Sequence, residues 1–379
     1  IELLADVKLA NEMANKESMR INDEVENWTE VEKQYKLAEQ AELILWQSKP
    51  DSESALATLP KLLLSDVRKE VKIIESEIEK KENYVRITHQ LETKGIGYVN
   101  LAFDVLNLEI KLMPLMSVWV DLLDELGTKT DDYGEFNNRI DRYTGGVDAK
   151  LISSANYDGG YKSYLIVSGK ALDRNKDELM SILSDMLSNL DWNNRTRVRQ
   201  VVAESIGSIE SELLDAGHVV VRGRLAAKMS EEGRLAEEWR GVNQLQFLRK
   251  LLVRIDDDWE NVYQELESLS KLVINRNGMI VDYSYDQNGQ DWIEVVDNWV
   301  DKIPNGSKRK HKEIEKLSST LDILTVETGV NYVGIAGCLP KIARRGAFGV
   351  VISYVGMSYL WENVRMKGGA YGAMLFYEP

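Results

Sequence analysis

One cysteine, Cys338, occurs among 379 residues. That excludes an intrachain disulfide framework and fits a reducing compartment; such a thiol is expected to be a buried spectator. Histidine is nearly as scarce. His89, His218 and His311 are too far apart to pair locally, and none is followed at three and four positions by the Glu and His of an inverted zinc motif. Local spacing therefore assembles no metal site. His218 follows Gly217 at what reads as a helix end, where an imidazole serves as a C-cap. Long apolar runs are missing too: the longest, Phe348 to Trp361, is interrupted by glycine and serine and is too short to span a bilayer. No charged-then-apolar targeting pattern follows Ile1. A Gly-Lys-Ser/Thr phosphate loop, a Gly-x-Ser-x-Gly elbow and a basic surface interleaved with aromatics are all absent. Positive charge is in deficit. The formal charge of -15 argues against a nucleic acid or an anionic membrane as the main partner and favours cationic ligands.

Hydrophobic residues make up 44% and charged residues 29% of the chain, enough apolar material for about two cores and a linker. Residues 1–49 read as helix, with Leu3, Leu4, Val7, Ala10 and Met13, and later Leu37, Ala38, Ala41 and Leu45, at helical spacing around a charged middle. Pro50 breaks the pattern, and Asp51 or Ser52 can cap the next helical segment. Val67 to Lys81 reads as a second charged helix, giving an antiparallel helical hairpin. From Glu92 the pattern changes. Strands are expected over Thr93–Asp104, Tyr161–Lys170 and Met279–Tyr285, and helices over Lys111–Leu126, Phe136–Tyr143, Asn175–Asn189, Asn194–Ala216, Glu231–Ile255, Trp259–Ser270 and Asp291–Lys302. Strands mixed with helices without strict alternation predict an α+β fold, a mixed sheet with packed helices. Asn305 to Lys312 is a basic linker, after which Val330–Gly334 reads as a strand and Ala347–Arg365 as a helix with one buried face. Tyr98-Val99 with the Trp119 helix, and Tyr332-Val333 with the Trp361 helix, form a faint internal repeat that points to domain duplication.

Two acidic stretches read as local structure rather than cation sites. Ser284 to Gly289 has a calcium-loop glycine, but Val295 stands where a bidentate Glu is needed, so it reads as a turn. Asp256-Asp257-Asp258 point in different directions at a helix end and read as an exposed cap. The remaining constellation is Arg365, Gly368, Gly369, Ala370 and Tyr371. Either an arginine closes a helix and a tyrosine packs on the next strand, or two donors face a peptide carbonyl or oxyanion while the glycines admit a close backbone.

Several motifs resemble one known family, the presequence-protease and falcilysin branch of the pitrilysin and insulinase zinc peptidases. Leu59-Pro60-Lys61-Leu62 to Asp66 is similar to its linker signature, and Thr93 to Tyr98 to the start of its third domain. Tyr133 through Tyr143-Thr144-Gly145-Gly146, Ser168 to Leu172, Gly217-His218 and Gly241 to Phe247 resemble later parts of that domain. Tyr359-Leu360-Trp361 through Val364-Arg365 to Gly368-Gly369-Ala370-Tyr371-Gly372 resembles the fourth domain and is the most specific match.

The resemblance implies two halves, each of two similar α+β domains, joined by a helical hairpin and closing around a chamber that admits short, unstructured peptides. In that frame residues 1–85 are the hairpin linker, 86–304 a third-domain-like unit, 305–317 a linker and 318–379 the beginning of a fourth domain, one complete and one truncated domain in all. Ile1 and Pro379 would be cuts in a longer polypeptide, and the unfinished fourth-domain sheet would leave an open edge. The zinc, two His and a Glu that bind it, and a further Glu acting as base would all lie in an N-terminal half, in the same chain or a separate one, leaving this piece inactive alone. Arg365 and Tyr371 would hold the scissile peptide and stabilise the tetrahedral intermediate, with Gly368, Gly369 and Ala370 binding substrate. The implied location is the cytoplasm of a bacterium or an organelle matrix. The alternatives are a non-catalytic peptide-binding or structural subunit of the same family and, in another class, a helical scaffold built on residues 1–85.

Overall fold

The computed structural model describes residues 8–106, 108–155, 160–287, 289–306, 314–318, 321–338 and 345–377, so His311 and most of the basic linker lie outside the described residues. The chain forms two compact units, residues 1–73 and 74–379.

The first unit is helical: α1 is Leu9–Glu26, α2 Glu30–Ser48 and α3 Glu53–Ala57. The helix expected through residue 49 divides at Thr29. There the Thr29 hydroxyl accepts from the Glu32 N–H at 3.3 Å and the Glu32 carboxylate accepts from the Thr29 N–H at 2.8 Å, a reciprocal cap that starts a new helix. Ser52 caps α3 through the Ala55 N–H. The second charged helix, Val67 to Lys81, is not formed. Residues 67–76 are irregular and Glu77–Lys80 is a strand, β1. Val71, Ile73, Ile74 and Ile78 are β-branched, and the carboxylates that imitate a solvated helix face have other work: Glu79 forms an ion pair with Arg86 on the next strand.

The second unit is built on a six-stranded sheet in the order β1-β2-β6-β3-β5-β4. Its other strands are β2 Tyr84–Gln90, β3 Ile96–Asp104, β4 Val147–Ala155, β5 Tyr161–Leu172 and β6 Met279–Tyr285. Only the β2–β6 pair is parallel, so the sheet is mixed and the fold is α+β. Val99, Leu101, Phe103, Leu165, Val167, Val281 and Tyr283 point to one face and are buried. Helices α4 Met113–Asp121, α5 Tyr133–Tyr143, α6 Lys176–Ser188, α7 Arg195–Asp215, α9 Glu231–Arg240, α10 Val242–Asp257, α11 Trp259–Val273 and α12 Asp291–Val300 share one core with that face, while α8 Gly217–Met229 packs on α7 and α9. Trp119, Trp192, Trp239, Trp292 and Trp299 belong to this single core.

Boundaries move for identifiable reasons. The run Glu231–Ile255 splits at Gly241 because the Glu237 carboxylate accepts from the Asn243 N–H at 3.1 Å and so caps a second helix. Arg224 holds that carboxylate at 2.7 Å and Asp322 at 3.0 Å, tying the chain beyond the linker to α8 and α9. His218 is not a C-cap. The chain breaks at Ala216, which places His218 in the first turn of α8 with its ring 6.2 Å from that of Tyr332.

After α12 the expected strand Val330–Gly334 is not formed. Cys338 is accordingly exposed rather than buried, because an irregular segment brings it only against Met229, with 3.8 Å between the sulfurs. Helix α13, Arg345–Tyr354, continues as a π-helix over Val355–Met366. The buried face expected of it is absent. Tyr354, Met357 and Trp361 are exposed, since among the described residues no sheet lies beneath them.

Gly97 of β3 lies under the Trp292 indole, whose N–H donates to Asp173 at 2.8 Å. A methyl group there would overlap the ring. Gly97→Ala is expected to lower stability by about 1–3 kcal/mol, read as a lower urea midpoint with an unchanged slope.

Candidate functional site

The segment singled out by its motif begins at the end of the π-helix. Such helices bond each N–H five residues back, and Lys367 N–H donates to the Glu362 carbonyl at 2.9 Å in that pattern. The ending has the form of a Schellman motif widened by one residue. Gly369 N–H donates to Arg365 O at 3.0 Å and Ala370 N–H to Val364 O at 3.2 Å. Gly369 has φ 71°, a left-handed value that costs glycine nothing, so the sequence Gly368-Gly369 stops the helix and reverses the chain.

Arg365 lies in the last turn, where its charge suits the helix C-terminus, and its guanidinium carbon sits 4.0 Å from the centre of the Trp361 ring. That contact restrains the guanidinium. Tyr371 is 87% exposed and lies in irregular chain, not on the strand expected there. Arg365 thus has a positioning contact within its own helix, while Tyr371 extends into solvent a few residues further on.

A second group is invisible to local spacing. Ser168 Oγ on β5 donates to Asn100 Oδ1 on β3 at 2.8 Å, and Asn100 Nδ2 donates to Asp282 Oδ2 on β6 at 2.8 Å. Asp282 Oδ1 lies 2.9 Å from Nε2 of His89 on β2, whose Nδ1 is 3.1 Å from the Glu75 carbonyl. A polar row thus crosses four adjacent strands on the sheet face opposite the helices. Both partners of His89, a carboxylate and a backbone carbonyl, are hydrogen-bond acceptors. The one available signal is polar Asn100 and Asp282 at the centres of otherwise apolar strands; their pairing is long-range.

Of the acidic stretches, Asp256 is engaged by Arg199, with Nε–Oδ1 2.8 Å and Nη2–Oδ2 3.1 Å. Asp286 accepts from the Gly95 and Gln287 N–H groups, which holds its carboxyl below the ordinary range, and Gly289 N–H closes a turn on the Asp286 carbonyl at 2.8 Å. A further acidic group lies where α4 packs beside β4. Although the Asp121 residue as a whole is exposed, partial desolvation of its carboxyl, together with the charges of Asp124 and Glu125, pushes it up to about 6, against a lowering contact from Ser205. Desolvation and the neighbouring charges of Glu125 and Asp148 also raise Asp124. Glu125 itself is paired with Arg197.

Among the described residues no group of three or more His, Cys, Asp and Glu could hold a metal ion, so they offer no donor set that fits the zinc implied by the resemblance. No helix among them is long and apolar enough to cross a membrane.

Residues 3–251 match the associated family of Peptidase M16 subfamily C, and residues 321–378 match the PreP C-terminal domain. Presequence protease 1, chloroplastic/mitochondrial, of Arabidopsis thaliana is 31% identical over 87% of this chain and 31% of its own length. Protein HypA of Clostridium perfringens is 27% identical over 86% of this chain and 34% of its own. The mitochondrial presequence protease of Saccharomyces cerevisiae is 26% identical over 87% and 34%. The chain therefore spans about a third of the length of these relatives.

The acidic group has a measurable signature. Because the folded protein binds the Asp121 proton more tightly than the unfolded chain, whose carboxyl keeps the ordinary value of 3.8, ionising it costs stability as pH rises toward and past about 6. Asp121→Asn is expected to be more stable than the parent at neutral pH, with the gain fading below about pH 4. Urea midpoints at the two pH values check this, and equal midpoints at neutral pH would contradict it.

Proposed function

This chain belongs to the associated family of Peptidase M16 subfamily C, and from that premise we propose that it forms the C-terminal half of a zinc metalloendopeptidase that degrades short, unstructured peptides inside a closed chamber. The observation that carries the reading is the motif from Tyr359 to Gly372, which falls inside the match to the PreP C-terminal domain and ends in the arginine, double glycine and tyrosine.

In this reading the helical residues 1–73 link the halves and the sheet with its helices forms a third-domain-like unit that already includes β1 and β2, so the boundary expected at residue 85 moves ahead of β1, and 318–379 begin a fourth. Zinc is bound outside this chain, and its chemistry is to polarise the scissile carbonyl and activate water. Arg365 and Tyr371 act on the substrate. Guanidinium and phenol donate to the scissile carbonyl, and their bonds strengthen as the oxygen gains charge in the tetrahedral intermediate. The turn at Gly368, Gly369 and Ala370 brings backbone without side-chain bulk beside the peptide, so that an extended substrate is held irrespective of its sequence. The partners are the N-terminal catalytic half and unstructured peptides. The mitochondrial and chloroplast relatives favour an organelle matrix, or the cytoplasm in a bacterial protein.

The test joins this chain to its N-terminal half and follows cleavage of a quenched peptide. Arg365→Ala and Tyr371→Phe are each expected to lower kcat/KM by about 100-fold, mostly through kcat, because the lost bond is strongest in the transition state. A zinc chelator is expected to abolish turnover. Near-normal kcat in both variants would remove these residues from the chemistry, and loss of the zinc-binding residues from the N-terminal half would favour the non-catalytic subunit.

A further inference from the structure

Helix α8 meets the chain that follows the linker along two neighbouring stripes. On the first, a methyl carbon at Gly217 would lie 2.5 Å from the Tyr332 ring, and Arg224 and Lys228 share Asp322 at 3.0 and 3.2 Å. On the second, His218, Arg222, Leu225 and Met229 recur at helical spacing. A methyl carbon at Gly334 would lie 2.8 Å from Leu225, and the Met229 and Cys338 sulfurs are 3.8 Å apart. Arg222 sits in the middle of this stripe, and its partner comes from much later in the chain: its guanidinium carbon lies 4.7 Å from the centre of the Phe376 ring.

Phe376 and its neighbour Tyr377 anchor the far end of the segment that carries Tyr371. Tyr377 meets Phe348 of α13 edge-on, with ring centres 4.8 Å apart and 68° between the planes. One residue thus grips α8 and the next grips α13. At the near end, Gly369 and Ala370 N–H groups are bonded to the Arg365 and Val364 carbonyls. Tyr371 lies between these two anchors, in irregular chain that no ladder of backbone bonds restrains. Releasing the far anchor gives the backbone at Tyr371 directions that the anchored segment forbids, and that freedom must be lost again when the phenol meets a substrate carbonyl.

We propose that Arg222 is a positioning residue for the peptide-cleaving site: by holding Phe376 against α8 it fixes the far end of the segment that carries Tyr371, and so limits where the phenol reaches. The proposal rests on the peptidase reading and deepens it. Arg222 acts through the chain between Phe376 and Tyr371 and does not touch substrate. Arginine suits the task, because its planar, permanently charged guanidinium lies on a ring face while its edges stay in water. Arg365 is restrained separately, by Trp361 on its own helix, so the effect of Arg222 falls on Tyr371. The Phe376 ring stays 49% exposed, which makes the expected effect several-fold rather than a complete loss.

The test uses the protein joined to its N-terminal half and the quenched peptide. Arg222→Ala is expected to lower kcat/KM about fivefold at an unchanged urea midpoint, and Phe376→Leu, which changes the other partner, to do the same. Arg222→Lys keeps a cation over the ring and Phe376→Tyr keeps the ring, so both are expected to restore most of the loss. Double-mutant cycles separate positioning from general destabilisation. The fivefold effect of Arg222→Ala is expected to persist in an Arg365→Ala background and to vanish in a Tyr371→Phe background. A readout free of turnover is chymotryptic cleavage within residues 371–377, expected to become about fivefold faster in Arg222→Ala. Normal turnover in Arg222→Ala alongside a loss in Tyr371→Phe would overturn this proposal alone. So would unchanged chymotryptic cleavage, or equal losses in both backgrounds, which would give Arg222 a general structural role. Normal turnover in Tyr371→Phe would overturn the peptidase role of Tyr371 and this proposal with it.

Discussion

The alternation of β3, β5 and β6 is the constraint on which residues 74–379 depend. Once Val99, Leu101, Phe103, Leu165, Val167, Val281 and Tyr283 are out of water on one face, the other face is fixed residue by residue, because side chains alternate. Each large apolar side chain buried this way contributes about 1.5–3 kcal/mol, whereas a register slip would exchange the whole set. Polar residues on the second face then have defined neighbours. Asn100, Asp282, Ser168 and His89 meet because their strands are adjacent, although they are far apart in sequence.

Helices that cover the buried face are set by capping and charge. Asp132 and Glu135 cap α5 reciprocally, and Glu237 of α9 caps α10 while paired with Arg224. Glu237 is 3% exposed, so that ion pair is buried in a region where a lone carboxylate would cost several kcal/mol. Arg224 also reaches Asp322, and Ile314 N–H donates to Glu231 at 3.3 Å. The chain leaving the linker is therefore held on α8 and α9 by groups that the helices already need.

How much of this was readable from the sequence depends on the distance over which the signal acts. The strands at Tyr161 and Met279 alternate strongly and were placed within a residue or two, as was α12. The stretch Val67 to Lys81 misled because interspersed Lys and Glu look alike on a helix face and on an edge strand; pairing with β2 decides between them, and β2 is remote from the pattern itself. β4 has no clear strand pattern in the sequence because Asp148, Lys150, Ser153 and Ser154 dilute its apolar residues, as befits a border strand. In the candidate site the motif carried the identities of Arg365, Gly369 and Tyr371, and the helix stop at Gly369 follows from local chemistry. Local chemistry does not carry the π register or the missing strand at Val330, since both depend on what packs beneath.

That difference bears on how the proposed donors act. An oxyanion donor is effective when its direction is fixed before charge develops, because reorienting it in the transition state returns part of the gain. Arg365 has part of that restraint: its guanidinium carbon lies 4.0 Å from the centre of the Trp361 ring on its own helix. Tyr371 follows a turn whose backbone is pinned at Gly369 and Ala370, so its Cα is placed while its side chain, 87% exposed, is not. The two residues consequently divide the task. In the proposed role arginine would arrive restrained by its own helix, and tyrosine would take its direction from the bound peptide, so that the ordering cost at Tyr371 would fall on substrate binding.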